Sequence, residues 1–433
     1  MDGRIAIALR ALKHRNFRLF FFGQSISVIG TWMTRLATAW LIYRLTHSAL
    51  LLGVTGFAGQ IPTFLFAPFA GVWVDRWNKH RVLVVTQAAA MVQSFALAAL
   101  ALSHHIHVWH VMALAVMQGV INAFDMPARQ SFLVQMVEGR EDLSSAIALN
   151  SSIVNMARLL GPSLAGILIA IKGEGFCFLA DGFSYVAVIV SLLLMHVSNS
   201  AIVRNQKPSM VSEMRAGWSY VSASPALRTI LILFAIVSLM GMPYTTLMPV
   251  FASVVLHGGA HTLGFLMGAA GCGALCAALW LAMRKTVLGL GRVIGWSAAL
   301  FGLGLAAFSL SRTFWISMAL LFVAGFGMIQ QMSSSNTVIQ TLVNDDMRGR
   351  VMSYYAMAFV GMSPFGSLLA GALAHWIGAP HTLLLTGICC AAGSVWYSTQ
   401  YPQVRASMRP VYRELGILPQ QPAELRAAIA TEE

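Results

Sequence analysis

Apolar stretches of about 20 residues, separated by short polar breaks, recur from one end of the chain to the other. Each is long enough to cross the roughly 30 Å hydrocarbon layer of a bilayer as a helix. Backbone groups in lipid must be satisfied within the segment, so these runs predict helices. The alternating ~10-residue pattern of a transmembrane barrel is absent from the sequence. Twelve spans are expected. The first six are Leu19–Leu45, Leu50–Val72, Arg81–Leu102, Val108–Phe124, Ala146–Ile171 and Phe176–His196. The second six are Thr229–Val250, Leu263–Met283, Val287–Leu310, Phe314–Ile339, Val351–Trp376 and Thr382–Tyr397.

The one long interruption divides these spans six and six. The expected organisation is a first bundle over 1–197, a linker over 198–227, a second bundle over 228–400 and a peripheral tail over 401–433. Within the linker, Met214, Trp218 and Val221 alternate with Glu213 and Arg215, which predicts a short amphipathic helix on the membrane surface. The two halves also carry a repeat. Gly161-Pro162-Ser163-Leu164-Ala165-Gly166 resembles Gly366-Ser367-Leu368-Leu369-Ala370-Gly371, and the same offset aligns Gln135 with Gln340 and Glu141 with Asp346. Related halves with substrate between them are one architecture of secondary transporters.

Composition agrees with this reading. Of 433 residues, 58% are hydrophobic and 10% are charged, against roughly 25% charged in soluble domains. The formal charge of +13 is scattered in small groups between spans, which excludes a nucleic-acid surface and fits topology-setting charge. With the N-terminus inside, all but five of the 28 basic residues fall on the cytoplasmic side. The exceptions are Arg44, Lys172 and Arg312 outside, and Arg35 and Arg158 within spans. Both termini are thus expected in the cytoplasm, in a bacterial inner membrane, and the first apolar run reads as a span rather than a cleaved signal. Cys177, Cys272, Cys276, Cys389 and Cys390 lie in or beside apolar segments without metal-type spacing, and read as packing residues.

The short loop after the second span carries the densest chemistry: Gly71-Val72-Trp73-Val74-Asp75-Arg76-Trp77-Asn78-Lys79-His80-Arg81. A glycine permits close helix approach, and an aspartate can take hydrogen bonds at a helix N-terminus. Together with its cations, such a loop can latch one side of the protein shut. The stretch resembles the signature loop of the major facilitator superfamily, matching at Gly71, Asp75, Arg76, Lys79 and Arg81. Asn78 stands where that signature has glycine, and His80 where it has a basic residue. Asp125-Met126-Pro127-Ala128-Arg129-Gln130, Gly241-Met242-Pro243-Tyr244, Met248-Pro249-Val250-Phe251 and Arg348-Gly349-Arg350-Val351-Met352-Ser353 are similar to the enterobactin-exporter-like and macrolide-efflux-like branch.

The resemblance implies alternating access, with efflux driven by proton antiport. It also implies a charge relay at the cytoplasmic gate, made of Asp75, Lys79 and Asp125, with Arg129 one turn beyond. Asp346, Arg348 and Arg350 form the corresponding loop of the second half. Asn155, Arg158, Gly161 and Pro162 resemble the fifth-helix antiporter motif, in which a Gly-Pro pair shapes a bending helix.

Charges deep in the membrane are costly unless paired or wet, so they mark function. Arg158 is placed near the midplane, as a ligand for an anion, as a partner for an acid or as a static tie between helices. Arg35 and Asp181 lie at similar depth and are expected to pair, with Asp181 the first candidate for a proton-carrying group. Gln24, Gln118, Gln330, Gln331 and Asn336 can line a cavity or tie helices together. His104, His105, His107 and His110 crowd one external loop, without an acid or cysteine to complete a metal site.

The function expected is secondary transport, as proton-coupled efflux of a siderophore or amphiphilic drug, by a monomer with no cofactor. The alternatives are an importer or lysophospholipid-type transporter of the same fold, and a non-transporting scaffold. Neither a nucleotide-binding loop nor an intramembrane catalytic constellation is evident, so no enzyme activity is expected.

Overall fold

The computed structural model describes residues 9–137, 139–196, 210–284 and 286–418. Every regular element among the described residues is helical. The helices are α1 (Arg15–Thr46), α2 (Ala49–Arg76), α3 (Lys79–Leu102), α4 (Val108–Leu133), α5 (Arg140–Lys172) and α6 (Glu174–Leu193), then the short α7 (Met210–Ala223). The second half follows with α8 (Pro225–Val255), α9 (Ala260–Ala282), α10 (Leu290–Leu310), α11 (Phe314–Leu342), α12 (Asp345–Ile377) and α13 (Ala379–Glu414).

Eleven of these are long and apolar enough to cross a membrane. At 32 residues α1 is also long enough, although Arg15, Arg18, Arg35 and Arg44 lower its hydropathy. It packs along α5 and α6 and forms the twelfth span. In the first bundle α1 packs on α5 and α6, α3 on α4 and α6, and α2 on α4. In the second, α10 packs on α11 and α13, α9 on α11, and α8 on α13. The bundles meet mainly along two helix pairs, α5 with α9 and α2 with α12.

The end of the molecule that carries Arg15, Arg76, Lys79, Arg348 and Arg350 is here called the basic end, and the opposite one the far end. At the far end the bundles touch backbone to backbone. A Cβ on Gly166 of α5 would stand 2.8 Å from the Cα of Gly264 of α9, and one on Gly371 of α12 would stand 2.7 Å from the Cα of Gly53 of α2. Gly166 and Gly371 are the equivalent glycines of the internal repeat, so one close approach is built twice. Nearer the basic end, Leu65, Phe69, Trp73 and Trp77 of α2 and its following turn are exposed, and a Cβ on Gly71 would meet nothing within 4 Å. The bundles are thus in backbone contact at the far end, contacts between them continue to Gly271 against Arg158 and to Phe64 against Gly361, and the part of α2 nearest the basic end is exposed.

Two expected spans are not simple α-helices. In α8 the turns Val237–Gly241 and Phe251–Val255 are π-helical, and in α12 so is Met357–Gly361. An extra residue in the turn frees backbone carbonyls. The Ser238 hydroxyl donates to one of these, the Phe359 carbonyl, at 2.8 Å. The last span also differs from the expectation: α13 runs through Pro402 and Pro410 to Glu414, so much of the supposed tail continues the helix. The helix α7 docks on the start of α12. Glu213 faces Arg350 at 3.8 Å, Tyr354 donates to the Met214 carbonyl, and the rings of Trp218 and Tyr354 lie 5.8 Å apart.

Candidate transport site

Helical periodicity sorts the membrane-embedded residues of α1 around these groups onto two faces. Gly30 and Thr34, one turn apart, face α6. The Thr34 hydroxyl donates to Asp181 at 2.8 Å, and a Cβ on Gly30 would meet the same carboxylate at 2.7 Å. Ser94 of α3 donates to Asp181 at 2.9 Å, and Ser184 of α6 lies 3.4 Å away. Asp181 is 1% exposed, sealed among three helices and served by three hydroxyls.

The expected Arg35–Asp181 ion pair is not formed. Arg35 follows Thr34 by one residue, about 100° around the helix, and shares its face with Trp32, three residues back. Its guanidinium carbon lies 5.0 Å from the centre of the Trp32 ring. Arg158 of α5 approaches the same ring at 5.4 Å. Trp32 is received there by Gly161, where a Cβ would be 2.5 Å from the Trp32 Cβ.

Arg158 is the least compensated polar group of the site. Its Nε and Nη1 are buried and have no hydrogen-bond acceptor. Pro162 lacks an N–H, so the Arg158 carbonyl, its i−4 partner, loses its helical hydrogen bond. That carbonyl faces α9, 2.7 Å from where a Cβ on Gly271 would stand. Despite its proline, α5 runs unbroken to Lys172. Tyr244 of α8 lies within electrostatic range of Arg158, which places the second bundle beside this cation.

At the basic end, Asp125 is buried and accepts from Thr86 at 3.0 Å, from Gln87 at 2.7 Å and from Arg129 one turn on. The Arg129 contact is as expected from helical spacing. Among the described residues Asp125 makes no contact with Lys79, so that leg of the relay implied by the resemblance is not formed in this conformation. The Asp75 side chain lies outside the described residues. Arg76 and Arg81 are exposed and Lys79 half-buried, and none of them forms an ion pair among the described residues. Asn78, the departure from the signature, caps α3: its side chain accepts from the Arg81 N–H at 3.1 Å. His80 bonds the Leu192 carbonyl at 2.8 Å, tying the loop to the end of α6.

The neutral candidates scatter. Gln24 is buried. Gln118 donates to Asn122, Gln330 to Ser334 and Gln331 to Ser335, each one turn along its own helix, and the Oε1 of all three is buried without a donor. Asn336 accepts from Gln340 at 2.7 Å, and Asn155 donates to the Ser151 carbonyl. The hydrogen bonds of these residues lie away from the Trp32 cluster, which Arg35 and Arg158 join. Asp346 is exposed, Arg348 pairs with Asp345 at 2.6 Å, and Arg350 turns to α7. His107 and His110 cap the start of α4, the His107 N–H donating to His110 Nδ1 at 3.1 Å. Sequence reasoning missed Trp32 as the common platform. It also missed Arg44, which grips Glu174 through two bonds of 2.8 and 3.2 Å at the far end. A recess of about 380 Å³ at the basic end, lined by His14, Arg15, Asn16, Gln135, Met136 and His196, is separate from these groups.

The pattern of one family, described as transmembrane secretion effectors, matches residues 6–422. The chain belongs to this family of the major facilitator superfamily. It is a multi-pass membrane protein and an efflux-type transporter. This family member is 26% identical over 374 residues to the staphyloferrin A transporter of Staphylococcus aureus (strain NCTC 8325 / PS 47), covering 86% of this chain and 92% of that one. It is 22% identical to macrolide efflux protein A of Streptococcus pyogenes (88% and 96% covered) and 24% identical to the multidrug efflux pump Tap of Mycolicibacterium fortuitum (84% and 91%). Its fold is shared with two solved transporters. A bacterial homologue of the human lysosomal transporter Spinster, inward-facing and occupied, gives a TM-score of 0.69 at 12% identity, covering 90% of this chain and 97% of that one. A POT family transporter in complex with 5-aminolevulinic acid gives 0.72 at 10%, covering 90% and 96%.

Proposed function

We propose that this transporter exports a small organic compound in exchange for protons, with its basic end in the cytoplasm. The far-end closure then makes the described conformation inward-facing, ready to take substrate from the cytosol. Residues 1–197 and 228–400 act as the two rocking bodies, 198–227 as their tether and 401–433 as a cytoplasmic extension, in a monomer. The cargo class lies within the range named by the relatives, which runs from a siderophore to macrolides and other drugs.

The observation that carries the proton coupling is the setting of Asp181. It is a buried carboxyl in the membrane whose direct partners are Thr34, Ser94 and Ser184 rather than a cation. A hydroxyl donates to a carboxylate and accepts from a carboxylic acid, so the pocket serves the group with or without its proton. A charge cycled in such a place is a common device of membrane transporters. Asp125, by contrast, is held by Arg129 and suits a fixed role.

Counterflow in proteoliposomes with an imposed pH gradient tests this. Wild type is expected to accumulate substrate along the gradient. Asp181→Asn is expected to exchange substrate for substrate while losing the response to pH. Gradient-independent accumulation by wild type sinks the coupling.

A further inference from the structure

Trp32 is flanked by two cations, neither of which makes an ion pair among the described residues; Asp181 lies within electrostatic range of Arg35 but not in contact with it. Arg35 is exposed although it lies midway along a membrane helix, and Arg158 buries Nε and Nη1 with no acceptor. Asp181, the acid at their depth, is occupied by three hydroxyls. Their distances to one ring place the two guanidinium carbons no more than about 10 Å apart. They are also within electrostatic range of each other, so each opposes the other's charge.

Like charges that share a site with no counter-ion in contact are costly, and the buried Arg158 donors without acceptors add to that cost. The arrangement is stable once something negative sits between them. Guanidinium is the side chain best shaped to hold a carboxylate through two parallel bonds. Trp32 supplies a flat apolar surface against which both guanidiniums are already set.

We infer that Arg35 and Arg158 form a clamp for an organic anion bearing at least two carboxylates, laid against Trp32. The inference rests on the transport reading above. The location suits cargo. Arg158 precedes Gly166 by eight residues, so the clamp lies roughly 12 Å along α5 from the Gly166–Gly264 contact, at the level where the Arg158 carbonyl itself faces Gly271 of α9. On the transport reading it is loaded from the basic end, and Gly271 and Tyr244 bring in the second bundle. Rocking the bundles therefore carries the clamp's contents from one side of the closure to the other. An outgoing anion and an incoming proton also move charge in the same sense, so a potential negative inside drives both.

The test uses purified full-length protein in detergent, with tricarballylate as probe and its uncharged trimethyl ester as control, read by calorimetry and by tryptophan fluorescence. Wild type is expected to bind tricarballylate and not the ester. Arg35→Gln and Arg158→Gln are each expected to weaken binding about tenfold or more. Arg35→Lys and Arg158→Lys should recover part of the loss, with unliganded melting temperature monitoring folding throughout. Failure of wild type to bind tricarballylate overturns the clamp, as does unchanged binding in both Gln variants. Counterflow separates the two readings: arginine-dependent binding without transport counts against transport and not against the clamp. Export of a cationic dye without tricarballylate binding does the reverse.

Discussion

Gly166 and Gly264 meet so closely that a Cβ on either would stand 2.8 Å from the Cα of the other. Neighbouring carbonyls complete the contact, Ala260 oxygen at 2.7 Å from the first such Cβ and Pro162 oxygen at 2.6 Å from the second. Since the obstacle is backbone, no rotamer change relieves it. Gly264→Val is expected to hold the far end open. Transport should fall at least about tenfold, the size of effect that a 1.4 kcal/mol penalty on the closed state produces. Labelling of a cysteine introduced at Ala49 by an impermeant maleimide, in a background without the native cysteines, should rise in parallel. Unchanged labelling and transport would show that the closure tolerates a side chain.

Gly71 is the opposite case, with open space around it in this conformation. Gly71→Leu should therefore leave the described conformation's stability within about 0.5 kcal/mol, as for an exposed site. If the basic end closes by helix contact at this glycine, the same variant abolishes transport. Melting temperature and counterflow, measured together, check both halves. Full activity would remove Gly71 from the gate.

Asp125 holds Arg129, Thr86 and Gln87 at one buried carboxylate. Asp125→Asn leaves a partly buried guanidinium without its anion, which should cost about 1–3 kcal/mol. Adding Arg129→Gln should recover part of that loss, giving a coupling energy above about 0.5 kcal/mol in a double-mutant cycle. Additive effects in thermal or denaturant unfolding would mean that the pair does not act as a unit.

Ser238 satisfies the Phe359 carbonyl across two facing π-turns. Ser238→Ala should destabilise the second bundle by about 1 kcal/mol, the net worth of one such bond. Amide exchange should quicken around Met357–Gly361 in particular. Exchange spread evenly over the chain would argue against a local role.

Much of this architecture was legible from residue order. Span length and apolar content place the helices, because lipid leaves the backbone few alternatives. Repeated glycines at 166 and 371 pointed to matched halves, and both lie at the bundle interface. The charged site was read less well. Arg35 and Asp181 were paired on depth, which sequence reports, but contact also needs azimuth. The single step from Thr34 to Arg35 turned the arginine away from α6 and toward Trp32. At Asn78, a departure from a signature proved to be the cap of the next helix. The π-turns had no readable signal beyond the Gly-Met-Pro cluster near the first.

By itself the sequence determined the number of spans, their grouping into halves and the family, because these depend on hydropathy and spacing along the chain. Only the tertiary structure decided where the two bundles touch, which acid is shielded by hydroxyls, and that two arginines from different helices share one indole. Those features depend on which faces of separate helices meet, and a helix's neighbours are not written in its own periodicity.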